Sequence, residues 1–70
     1  MQYYGYTTDK TKLPIDNIWL SGNELTLKDD SIVYGYEGKD SEVDGVVVMT
    51  KKDFNAWAKE NLKQEEFRPD

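Results

Sequence analysis

Apolar and polar positions alternate along most of the first fifty residues and change to a helical period only after Thr50. "MQYYGYT" at residues 1–7 mixes aromatics with Thr, the composition of a strand. The polar stretch "TDKTKLP" that follows, with Pro14 at its end, predicts a loop. "IDNIWL" at 15–20 is a second strand candidate, ended by "SGNE", where Gly22-Asn23 supplies residues tolerant of positive φ. In "LTLK" at 25–28, Leu25 and Leu27 share a face, and after the turn "DDS" a further strand covers 32–37. The two short turns predict an antiparallel meander. Beyond the polar stretch "GKDSEVDG" at 38–45, "VVVM" at 46–49 is the most strand-like run, expected to be central or buried on both faces.

The period then becomes 3.6. Phe54, Trp57, Ala58 and Leu62 fall at i, i+3, i+4 and i+8, one apolar stripe on a helix predicted over 51–66. Thr50 and Asp53 are spaced as a capping box, and Pro69 blocks continuation, leaving a tail at 67–70. The fold class is therefore α+β: an antiparallel sheet of four to five strands with one C-terminal amphipathic helix packed on one face, in a single domain over 1–70. A single helix covers one face only. Trp57 is expected to be buried beneath it. Ile18 and Leu20 are expected inward, with Trp19 on the poorly covered face.

Tyr-Gly-Tyr occurs twice, as Tyr4-Gly5-Tyr6 and Tyr34-Gly35-Tyr36. In a strand the two tyrosines of each triplet share a face and the glycine points to the other. If the two strands are neighbours, four rings meet on one face, and each glycine leaves a gap that a ring such as Trp57 can fill. Tyr4, Tyr6, Trp19, Tyr34 and Tyr36 are thus candidates for an aromatic binding face. The flanking residues differ, so the pair is no internal repeat.

Composition narrows the chemistry. Seventy residues support one modest core. The chain has neither Cys nor His, which rules out disulfides and argues against structural zinc; no cofactor is expected. General acid–base and thiol catalysis lack their usual residues, and Ser21, Ser31 and Ser41 sit in turn-like stretches with no activating neighbour. The expectation is a non-enzyme. A net charge of −5 argues against direct binding to nucleic acid or an anionic membrane and favours a basic partner. The longest apolar run, Val46 to Met49, is far too short for a membrane span, and no leader pattern is legible at the start; a cytoplasmic protein is expected.

Two charged constellations remain. Asp40, Glu42, Asp44 and Gly45 imitate the opening of a calcium loop, but the twelfth position is Lys51, where the motif needs a bidentate Glu. At the helix start, Thr50, Lys51 and Lys52, with Arg68 from the tail, are candidate anion ligands. These features point to a small acidic non-catalytic protein that binds, and by binding inhibits, another protein with a basic surface. Small acidic inhibitors carried by phages and mobile elements share these bulk properties. One alternative is an oligomer that sequesters a small anionic or nucleotide-like ligand by tyrosine stacking and Lys or Arg. Another is a structural component of a larger assembly. Self-association into a homodimer or larger ring is expected through the aromatic face or through the N-terminal strand, if that strand lies at a sheet edge.

Overall fold

The computed structural model describes residues 2–14 and 23–63. Among the described residues, strands β1 (Tyr3–Thr7), β2 (Asn23–Thr26), β3 (Ile32–Gly38) and β4 (Val47–Met49) precede one α-helix, α1 (Lys51–Asn61), and a short 3-10 turn at Lys10–Lys12 follows β1. The strands form an open, wholly antiparallel sheet in the order β2-β3-β1-β4. The strand and the Trp19 expected at 15–20, with Ile18 and Leu20, lie outside the described residues. The β2–β3 hairpin is the part of the expected meander within them. Its turn is closed by the Asp30 N–H on the Leu27 carbonyl, with Asp30 at φ 71°, a conformation Asp tolerates.

Two placements differ from the sequence reading. β1 is central, paired with β3 on one side and β4 on the other, so the N-terminal strand is not a sheet edge open to a second copy. β4, expected at the centre, is the outer strand among the described residues, with Val47 half exposed. A run of β-branched residues reports packing on a pleated surface, which an outer strand also has, and does not encode the order of strands.

The register sets the two faces. Tyr6 lies opposite Gly35, and Gly5 opposite Tyr36. The two Tyr-Gly-Tyr triplets are thus offset by one residue, and each glycine stands beside a tyrosine ring across the ladder. Tyr4 and Tyr6 face the helix together with Leu25, Val33 and Met49, while Tyr34 and Tyr36 face the other way. The core on the helix face is Leu25, Val33, Phe54, Ala58 and Leu62, with Tyr4, Tyr6, Leu27, Met49 and Trp57 packed against it. Opposite Gly35 no side chain competes with Tyr6, and its ring stacks on Trp57 at 4.1 Å and 10°. Trp57 is only partly buried, not the fully buried residue expected.

The helix opens as predicted: Thr50 is extended and its hydroxyl accepts from the Asp53 N–H. It ends at Asn61, five residues before the expected end. There the Asn61 side-chain amide donates to the Trp57 carbonyl, and the chain leaves to pair with the end of β2. The Lys28 N–H donates to the Asn61 carbonyl, and the Lys63 N–H to that of Thr26. Leu62 still enters the core, from extended backbone rather than from the helix. Tertiary pairing with the hairpin overrides the helical period here, and Pro69 is not what stops the helix. No helix among the described residues is long and apolar enough to cross a membrane.

Candidate functional site

The segment from Lys39 to Val46 joins the central pair of strands to β4, and its own geometry is well anchored. Tyr36, fully buried on the face away from the helix, donates its hydroxyl to the Asp40 carbonyl at 3.1 Å. At the far end the buried Thr7 hydroxyl, at the end of β1, donates to the Gly45 carbonyl at 2.7 Å and accepts from the Asp9 N–H. Between them Val43 and Val46 bridge antiparallel, with the Val46 N–H on the Val43 carbonyl. Gly45 closes this turn at φ 80°, the left-handed region that only glycine adopts freely.

These contacts leave a shallow groove of about 350 Å³ beside β4, lined by Ser41, Glu42, Val43, Asp44, Val46 and Val48. Its apolar wall is three half-buried valines, and its rim carries the exposed carboxylates of Glu42 and Asp44. An aliphatic surface under an acidic rim suits a long cationic side chain, whose stem packs on apolar atoms while its head reaches a carboxylate. Val46 and Val48 alternate with Val47, which shares the helix face with Tyr6. A second hollow, of about 220 Å³, lies at Leu27, Lys28, Asp29, Glu60 and Asn61, where both charge signs meet.

The other sequence candidates are dispersed. The aromatic face does not assemble: Tyr4 and Tyr6 lie partly buried on the helix side, Tyr34 partly buried on the other, and Tyr36 is fully buried there. A ligand stacked on four tyrosine rings has no surface to meet. Tyr4 is held above the ordinary tyrosine pKa by burial, then by hydrogen bonding and charge from Glu37, its cross-strand neighbour. Thr50 is occupied as the helix cap, Lys51 and Lys52 are exposed, and Arg68 lies outside the described residues. Asp40, Glu42 and Asp44 are exposed, and no group of three His, Cys, Asp or Glu side chains placed to hold a metal ion forms among the described residues.

Glu42 and Asp44 were legible as an acidic pair, but their valine partners were not. The spacing of Val46 and Val48 two and four residues after Asp44 carried the signal, hidden by the expectation that this strand is interior. The chain matches no known protein family, no curated protein and no solved structure. Its functional reading therefore rests on this geometry.

Proposed function

We propose that this chain is a small non-catalytic binding protein that holds a basic surface of another protein in the cytoplasm and blocks it, as inhibitors of phage or mobile-element origin do. The observation that carries this reading is the valine-walled, acid-rimmed groove beside β4, on a segment anchored at Asp40, Val43 and Gly45. A pre-ordered surface loses less entropy on binding than a loose loop. A net charge of −5 adds attraction toward a basic partner at long range and speeds encounter.

Affinity capture with the immobilised chain tests the reading. The parent should retain basic proteins that raised salt releases, and the double variant Glu42→Lys, Asp44→Lys should not. Both carboxylates are exposed, so the variant keeps the fold. Equal retention by parent and variant, or retention that salt leaves unchanged, refutes the groove as the binding surface.

A further inference from the structure

The chain begins a further ladder outside β4 and stops after one rung. Val43 pairs antiparallel with Val46, and the bridge is isolated. Continued in register, it would set Glu42 opposite Val47 and Ser41 opposite Val48. Instead the Tyr36 hydroxyl holds the Asp40 carbonyl on the face away from the helix, and Ser41 and Glu42 line the groove together with Val46 and Val48. The backbone directions define what this leaves over. The Val46 N–H donates to the Val43 carbonyl at 3.1 Å. The Val47 carbonyl oxygen is turned to β1, where it is the atom nearest to the Cβ position of Gly5. N–H and C=O directions alternate along an antiparallel strand, so those of Val48, like those of Val46, point away from β1. Among the described residues no strand lies beyond β4 to meet them. β4 also carries none of the charges or prolines that guard outer strands against pairing.

We infer that the basic partner binds by strand addition: an extended segment pairs antiparallel with Val48 and sets one basic residue opposite it, between two apolar residues opposite Val47 and Met49. This rests on the proposal that the groove holds a basic partner. The antiparallel sense is the one in which Val43 already pairs with Val46. Residues directly opposite each other share a face. The residue opposite Val48 is therefore on the groove face, where its stem lies on Val46 and Val48 and its head reaches Glu42 or Asp44. Its two neighbours lie on the helix face, beside the half-exposed Val47 and beside Met49, and that surface is apolar. Main-chain bonds then give affinity, and the groove selects the side chain. A second copy is the competing occupant. Two copies paired antiparallel about Val48 would set a valine where the cation belongs, and would bring both sets of Glu42 and Asp44 carboxylates to one face. Like charges on one face count against that pairing and leave the cationic segment favoured.

The probe is a short synthetic peptide of alternating valine and arginine, titrated into the full chain and followed by NMR. The amides of residues 41–48 should shift, and exchange of the Val48 amide should slow about tenfold at saturation. Methylating the arginine amides, which face Val48 in an antiparallel pair, should weaken binding about tenfold. Methylating the valine amides, which face away, should leave it unchanged. Groove shifts without slower Val48 exchange, or equal losses from the two methylations, overturn strand addition and leave the groove reading standing. A glutamate counterpart that binds as well as the arginine peptide, or a groove silent to every peptide, sinks both. A dimer of the free protein with a protected Val48 amide also overturns strand addition, since a second copy then holds that edge.

Discussion

Gly5 is the residue on which the attachment of β4 to the sheet depends. A Cβ built there would lie 2.0 Å from the Val47 carbonyl oxygen, 3.0 Å from its carbon and 3.1 Å from the Val48 Cα. Ordinary contact is ~3.5 Å, so the closest approach is short by about 1.5 Å. All three atoms are backbone, and no rotamer change relieves the clash. Gly5→Ala must instead push β4 away from β1, whose ladder spans only Tyr4 to Tyr6 against Val47 to Met49. Losing two or three of those hydrogen bonds costs about 2–4 kcal/mol. The lower unfolded-state entropy of alanine returns about 0.5–1 kcal/mol, so the clash wins and the net loss is about 1–3.5 kcal/mol. A 70-residue domain has about 4–10 kcal/mol in total. Urea melts followed by circular dichroism measure the loss, and amide exchange at Val47–Met49 should accelerate more than at β2 and β3. A Gly5→Ala protein within half a kcal/mol of the parent, with those amides still protected, would refute the argument that close backbone approach sets this glycine.

Phe54 is fully buried at the centre of the core, so Phe54→Ala should cost about 3–5 kcal/mol, and Trp57→Ala, at a partly buried site, visibly less in the same melts. Tyr36→Phe removes the bond to the Asp40 carbonyl; a loss of about 1 kcal/mol is expected, with faster amide exchange across residues 39–46 and slower groove-dependent binding. The Thr11 hydroxyl and N–H hold the Asp9 carboxyl below the usual carboxylate range, and Ser31 does the same for Asp29. Their contribution is present above the ordinary Asp value of about 4 and is lost as pH falls through the lower folded values. The raised Tyr4 acts at the other limit: its contribution is full below about pH 10 and is lost as pH rises through the folded value, so urea midpoints should be flat between these limits.

Local chemistry made much of the architecture legible. The capping pair Thr50 and Asp53 and the stripe Phe54, Trp57, Ala58 and Leu62 specify where the helix starts and which side it buries, because caps and amphipathic periods act over a few residues. The turn at Asp29 to Ser31 and the alternation of Leu25 and Leu27 likewise marked the hairpin. Strand order was not legible, since neighbours in a sheet are chosen by contacts distant in sequence. Tertiary structure therefore decided that β1 is central and that the valine run is the outer strand among the described residues. It also decided the one-residue offset of the two Tyr-Gly-Tyr triplets. Because side chains alternate along a strand, that offset sends Tyr34 and Tyr36 to the face opposite Tyr4 and Tyr6. The helix end at Asn61 was set in the same way, by pairing of residues 61–63 with 26–28 across the fold. The groove needs all of this at once: a turn held by Gly45, a valine strand on the side of β1 away from β3, and the distant hydroxyls of Thr7 and Tyr36 tying the segment down. The sequence contained each of those residues, and only the folded chain brings them together.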